Sequence, residues 1–287
     1  CQHVLYNEMY KPKLTEQTEI DRAKRGILLE RKFKKVDFTA NRNCNLRGKC
    51  MNSSDYSMYF SAKTMMGPNS ARILEELFTK YPLHLTEKDE VLDLGCGTGL
   101  TSLIIAKETG AKVYANDLWV RAEDNAKRFE QWGVGEQIIP IHEDANELSF
   151  DQKRFDALVS IDSYHYFAGK INFFENKILP FLKDKSVVLI GVPGIKNEYS
   201  GRSEELLLEW LRDEAYMFKS ISQWKKIIGN SDRIETIKVW EMDCFNIAWN
   251  EWFATNHEYA NSDKKYFETI IKPYTCFVGI SIKMKKA

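Results

Sequence analysis

The stretch VLDLGCGTGL, residues 91–100, sets three glycines within five positions directly behind an apolar run. Glycine loses more conformational entropy on folding than any other residue, so a turn holding Gly95, Gly97 and Gly99 is built for positive φ or for close approach of other atoms to the backbone. The pattern around that turn sets the fold class. VLDLG (91–95) leads into a helical pattern through TSLIIAKETG that stops at Gly110, and KVYAND (112–117) leads into one through RAEDNAKRFEQWG that stops at Gly133. A glycine just past the last turn is a common C-terminal helix cap. IIPIHED (138–144), FDALVSID (155–162) and SVVLIGVP (186–193) continue the strand series, with a helix expected through INFFENKILPFL between the last two. Strands alternating with helices imply right-handed crossovers and a mostly parallel sheet covered on both faces. Such sheets bind ligands beyond the carboxyl ends of their strands, where the glycine turn lies.

With 287 residues, 44% of them hydrophobic, the chain is long enough for one large domain with appendages. No window approaches the roughly 18 uninterrupted apolar residues of a membrane span, and the N-terminal CQHVLYNEMYKPKL lacks the apolar centre of a secretory signal. These features lead us to expect a cytoplasmic protein with no membrane partner. The six cysteines are scattered, which suits reduced thiols. Cys44 and Cys50, even with Cys1 and His3, are spaced more widely than the roughly two to four residues of zinc-binding pairs, so no metal is expected. Net charge is zero, yet residues 1–50 hold twelve Lys or Arg against six Asp or Glu. That basic arm reads as a solvated helical face, EIDRAKRGILLERKFKK, or as a contact for an anionic partner.

The glycine spacing separates the cofactor classes. A dinucleotide fingerprint requires glycine at position 100, where Leu100 stands, and no Gly-Lys-Ser or Gly-Lys-Thr follows to make a phosphate loop. The pattern that is present, Asp93, Gly95, Gly97 and Gly99 as D-x-G-x-G-x-G, resembles the first motif of class I S-adenosylmethionine-dependent methyltransferases. The resemblance implies an α/β fold: a Rossmann-like, doubly wound, seven-stranded sheet, mostly parallel, whose antiparallel last strand lies between the fifth and sixth. RIETIKVWEM and KPYTCFVGISIKM resemble those last two strands. MMGPNSARILEELF (65–78) resembles the lead-in helix of small-molecule methyltransferases related to the ubiquinone, sarcosine and phosphoethanolamine enzymes. The implied division is a helical arm and cap over 1–64 and a methyltransferase domain over 65–287, with a helical lid insertion at about 194–231.

The same resemblance implies S-adenosylmethionine as cofactor, held by Asp93, Gly95, Cys96, Gly97, Thr98 and Gly99. Asp117, with Leu118 beside it, would accept hydrogen bonds from the ribose hydroxyls. Asp144 and Ala145 would meet the adenine, and Asp162 would close the site at the end of the fourth strand.

The acceptor class rests on what surrounds that site. IDSYHYF (161–167) lacks the prolines found there in DNA amino methyltransferases. GRSEELLLEWLRDEAYMFKSISQWKKIIG reads as two amphipathic helices, and SSDYSMYFSAKTMMG as a second cover carrying Tyr59 as a candidate substrate contact. Two covers suit a small molecule, methylated on nitrogen or oxygen, better than a nucleic acid. Tyr164 and His165 are the catalytic candidates, His165 as the base near neutral pH. Tyr166 is a candidate substrate contact through cation–π attraction. Two other readings stand beside this one: an RNA methyltransferase using the basic arm, and a non-catalytic sensor of S-adenosylmethionine.

Overall fold

The computed structural model describes residues 51–286. The basic arm and the cysteines Cys1, Cys44 and Cys50 with His3 lie outside the described residues.

The seven strands are β1 (Glu90–Leu94), β2 (Lys112–Asn116), β3 (Ile138–Ile141), β4 (Phe155–Ile161), β5 (Leu182–Ile195), β6 (Ile234–Glu241) and β7 (Thr275–Met284). They form one sheet in the order β3-β2-β1-β4-β5-β7-β6. β1 to β5 run parallel, and β7 is antiparallel to both of its neighbours, as the resemblance implies. The period of two along each strand fills two apolar layers. Val91, Val113, Ala157 and Val159 enter one, while Leu92, Tyr114 and Leu158 enter the other. Because the strand order reverses between β1 and β4, the crevice beyond their carboxyl ends is the natural ligand position.

Helices α1 (Ser70–Lys80), α2 (Leu100–Thr109) and α3 (Ala122–Gln131) follow the sequence pattern. Asn69 caps α1 by accepting from the Ala71 N–H at 3.0 Å. The helix buries Ile73, Leu74 and Leu77, and Ile73 lies directly on Gly191 of β5. Gly110 closes α2 with φ 79°. Among the described residues, no helix is long and apolar enough to cross a membrane.

Four expectations need correction. The helix through INFFENKILPFL is instead a wide π-type turn over Phe174–Ile178 and a tight turn over Leu179–Phe181. Pro180, with no N–H to donate, ends any longer helix there. β3 stops at Ile141 rather than at residue 144, and β5 runs from Leu182 to Ile195 instead of over 186–193. The insertion after β5 is broken into α4 (Ser203–Leu206), α5 (Leu208–Leu211), a tight turn (Arg212–Met217) and α6 (Ile221–Ile228). Consecutive leucines cannot share one helical face: Leu207 is fully buried while its neighbour Leu208 is 59% exposed. α6 alone has the expected amphipathic form, closed by a Ser220–Gln223 capping box and anchored by buried Trp224.

A second insertion, between β6 and β7, has no counterpart in the sequence reading. It holds α7 (Phe245–Ala254), α8 (Glu258–Lys264) and a π-type turn (Phe267–Ile271). Glu251 of α7 ties it to α1, accepting from Asn69 Nδ2 at 2.7 Å and Arg72 Nη2 at 2.6 Å.

Candidate active site

Gly95, Gly97 and Gly99 all adopt left-handed conformations, with φ of 75°, 55° and 85°. Three other elements converge on them. A side chain at Gly95 would collide with Ser163 of the loop after β4, and one at Gly99 with Phe129 of α3. At Gly97 a Cβ would stand 2.8 Å from Met66 Sδ of the segment before α1. The close approach that the glycines imply is therefore partly made by the protein itself.

Hydrogen bonds fix the turn from several sides. Gly95 and Cys96 donate to the Asn116 carbonyl at 2.8 and 3.0 Å. Gly97 N–H donates to Asp117 Oδ2 at 2.7 Å, while Asp117 Oδ1 accepts from the N–H groups of Trp119 and Val120, both at 2.8 Å. Thr98 Oγ1 donates to the Thr64 carbonyl at 2.6 Å, tying the segment before α1 to the turn. Asn125 and Arg128 were not among the residues expected here. Asn125 Nδ2 donates to the Gly97 carbonyl at 2.9 Å and Arg128 Nη1 to the Thr98 carbonyl at 3.1 Å. Their i,i+3 spacing in RAEDNAKRFEQ puts both on one face of α3, the available sequence signal.

Asp93 is fully buried beneath the turn. Its Oδ2 accepts from Thr101 Oγ1 at 2.7 Å and Ser102 Oγ at 2.6 Å, whereas Oδ1 is buried without a partner among the described residues. Burial pushes its pKa up to about 6, against the two hydroxyl bonds, with Asp117 adding to the rise. Burial likewise raises Asp117, its three backbone bonds acting in the opposite direction. The Cys96 thiol lies inside the turn, 3.7 Å from Asn125 Nδ2, and burial raises its pKa. Leu118 stands 49% exposed next to Asp117. Asp144 is three residues past the end of β3 and accepts from the Asn146 N–H at 2.8 Å, with Ala145 buried beside it.

The loop after β4 sends consecutive side chains to different places. Asp162 has φ 54° and donates its N–H to the Gly191 carbonyl at 2.7 Å. Its carboxylate lies against the segment before α1, 2.8 Å from where a Gly67 Cβ would stand. Tyr164 is buried in the apolar layer against Phe167, Phe173 and Trp224, and its hydroxyl has no partner among the described residues. The rings of His165 and Tyr166 are tilted 36° to each other with centroids 4.0 Å apart, His165 also facing Phe218 of the first insertion and Tyr166 facing Trp119 at 4.9 Å. Asp263 of α8, unsuspected from the sequence, belongs to this group. It accepts from Trp210 Nε1 at 2.9 Å and Trp252 Nε1 at 3.2 Å, and its charge acts on both Asp162 and Tyr166. Burial, then Asp263, push Asp162 up to about 7. Burial pushes His165 down to about 3, leaving its imidazole neutral across the physiological range. Tyr59 instead packs on Trp132 at the end of α3, with ring centroids 5.3 Å apart.

Residues 91–183, which span β1 to the start of β5, match a family described as a methyltransferase domain. That segment, 93 of the 287 residues, is a methyltransferase domain. Over 112 residues the chain is 27% identical to the sterol 24-C-methyltransferase of Yarrowia lipolytica, covering 39% of this chain and 29% of that protein. The match thus spans under a third of that relative's length. In fold the chain is similar to phosphoethanolamine N-methyltransferase 2 of Haemonchus contortus, solved with S-adenosyl-L-methionine. That pair has a TM-score of 0.62 at 19% identity, covering 82% of this chain and 58% of the other. Geranyl diphosphate C-methyltransferase of Streptomyces coelicolor, solved with Mg2+, geranyl diphosphate and S-adenosyl-L-homocysteine, aligns with a TM-score of 0.58 at 15% identity, covering 74% of this chain and 76% of the other. At these identities the likeness is one of fold.

Proposed function

We propose that the chain transfers a methyl group from S-adenosylmethionine to a small molecule, on a nitrogen or oxygen atom. The observation that carries this reading is the glycine turn at the switch point: three left-handed glycines above Asp93, whose Oδ1 is buried without a partner among the described residues. An ammonium such as that of the cofactor's amino-acid end would satisfy this orphaned oxygen. Asp117, with exposed Leu118 beside it, suits the ribose, and Asp144 with Ala145 suits the adenine.

When bound, S-adenosylmethionine supplies a methyl already activated by the sulfonium charge, so the protein's task is alignment and exclusion of water. In this reading the two insertions and residues 51–69 act as covers over the crevice, an arrangement that would suit a small acceptor better than RNA. Cys96, Cys244 and Cys276 are free thiols, which fits a cytoplasmic setting. The reading is tested by calorimetric titration with S-adenosylhomocysteine and by methyl release across amines, phenols, thiols, carboxylates and tRNA. Binding with no release to any acceptor would favour a sensor, and release to tRNA alone would favour the RNA reading.

Proton transfer is better assigned to Asp162 than to His165. A base works best with a pKa near the operating pH, and Asp162 at about 7 meets that condition while His165 at about 3 does not. The groups facing Asp162 and Tyr166 are Asp263 and Glu214 from the insertions and His165 from their own loop. The rate should rise through a pKa near 7, and that limb should persist in His165→Ala but vanish in Asp162→Asn. A limb lost in His165→Ala would return the role to the histidine.

A further inference from the structure

We propose that residues 203–218 form a flap over the loop after β4 and that Asp263 is the latch holding it shut; that the flap admits the acceptor rests on the reading of the crevice as the methyl-transfer site. The second insertion is built into the body of the protein. Trp249 and Trp252 of α7 are buried in the apolar layer that also holds α1, and Glu251 is tied to Asn69 and Arg72. α6, which follows the flap, is anchored in the other layer by Trp224. Leu207, Ala215 and Phe218 of the flap enter neither layer. With Ile270 of the second insertion they form a small apolar cluster of their own, bordered by Trp210, Tyr266 and Tyr274. Four buried side chains hold the flap less firmly than the layers hold its neighbours, so it belongs to the part of the fold that opens most readily.

The directional tie is the Asp263 carboxylate, whose two oxygens serve one insertion each. Trp210 Nε1 of the flap donates to Oδ1 at 2.9 Å, and Trp252 Nε1 of α7 donates to Oδ2 at 3.2 Å. An indole N–H only donates, so a side chain joining both must offer two acceptors. A carboxylate does; an amide offers one oxygen and turns its own N–H against the other indole. Trp210 carries the tie onward. It meets Trp249 of α7 at 6.0 Å and Phe218 at 5.6 Å, and Phe218 faces His165 of the loop after β4 at 6.2 Å. Beneath this cover His165 is 5% exposed. The backbone between Trp210 and Phe218 supplies an independent observation. Arg212 has φ 50° and ψ −126°, a left-handed conformation that glycine accepts and that arginine keeps only where the structure on both sides imposes it. The bond from Trp210 to Asp263 imposes it on one side, and the burial of Ala215 and Phe218 on the other. Breaking that bond frees Arg212 to relax and lifts Trp210 and Phe218 away from His165.

The test uses the full chain in three variants: Trp210→Phe, which keeps an aromatic ring but removes the donor, Asp263→Asn, and the two combined. Hydrogen exchange read by mass spectrometry is expected to quicken at least about tenfold over 203–218 in each variant, while β1, β4 and β5 keep their wild-type protection. The combined variant should exchange there within about twofold of Asp263→Asn alone, because both changes break the same bond. Diethyl pyrocarbonate acylates neutral imidazole, the form in which burial keeps His165. It should modify His165 at least about tenfold faster in the variants than in wild type, with exposed His84 as the internal standard. Should Asp263→Asn not fold, Trp210→Phe decides. Unchanged exchange over 203–218, a rise shared by the strands, effects of the two changes that multiply, or His165 modified no faster than in wild type overturns the latch. Failure of the wild-type chain to bind S-adenosylhomocysteine would instead overturn the methyl-transfer reading, and with it the flap's role in admitting an acceptor.

Discussion

Replacing Asp117 with alanine is expected to abolish measurable S-adenosylhomocysteine binding, a loss of at least about a hundredfold, and to destabilise the fold by about 2–4 kcal/mol. The carboxylate accepts three backbone N–H groups, those of Gly97, Trp119 and Val120, at 2.7 to 2.8 Å. It therefore joins the glycine turn after β1 to the turn after β2. Hydrogen bonds to a charged group contribute about 1.5–3 kcal/mol each, and donors left unsatisfied in a buried site cost about 1–3 kcal/mol each. Alanine leaves all three donors without their partner and also removes the group proposed to hold the ribose hydroxyls. Asp117→Asn keeps the shape and one strong acceptor, so it should retain more stability than affinity. Calorimetric titration and urea unfolding of the same samples separate the two effects. An alanine variant that binds within tenfold of wild type would show that the turn is held by Asn116, Asn125 and Thr64 alone.

The parallel half of the sheet was legible because its strands read as apolar runs, and the first two, β1 and β2, are each followed by a helix that stops at a glycine. The glycine turn was legible for the same reason, since three glycines in five positions have few structural explanations. Their neighbours were not. Ser163, Met66 and Phe129 meet the turn from 30 to 68 residues away by number, and no local period reports such contacts. The insertion after β6 was missed because α7, with Ala248, Trp249 and Trp252 buried, has apolar residues around much of its circumference, which blurs an amphipathic stripe. Asp263 followed the same course: in NSDKK it looks like one more surface charge, and only the two indoles mark it out.

The loop SIDSYHYF shows a different limit. Its residue types pointed to the site, but the roles depend on direction. Left-handed Asp162 turns the chain so that Tyr164 enters the apolar layer while His165 faces Phe218 of the first insertion and Tyr166 faces Trp119. Burial then moves His165 and Asp162 in opposite directions, because it disfavours the charged form of each. A histidine that composition marks as the base becomes a neutral acceptor, and an aspartate marked as a cofactor contact becomes the group that titrates near neutrality.

Asp162→Asn is expected to stabilise the protein at pH 8 by about 1–3 kcal/mol, raising Tm by about 2–10 °C. The sign follows from proton linkage. Below pH 3.8, the ordinary value for the unfolded chain, Asp162 is protonated in both states and contributes no pH dependence. Between 3.8 and about 7 the folded protein keeps a proton that the unfolded chain has released, so stability is progressively lost as pH rises through this window. Above it both states are ionised, and the full cost of holding an unpaired carboxylate remains. At about 1.36 kcal/mol per pH unit the upper bound is about 4 kcal/mol, reduced by the part of the side chain that still meets solvent. Asparagine avoids the charge, and it is one of the few side chains that tolerates the left-handed φ of 54° found here. Near pH 4 the two proteins should melt together, and their curves should separate as pH approaches 8. Asp93, raised to about 6, gives both proteins the same further decline and cancels in the difference. A variant that melts at or below wild type at pH 8 would mean that Asp162 already has its counter-charge within the fold.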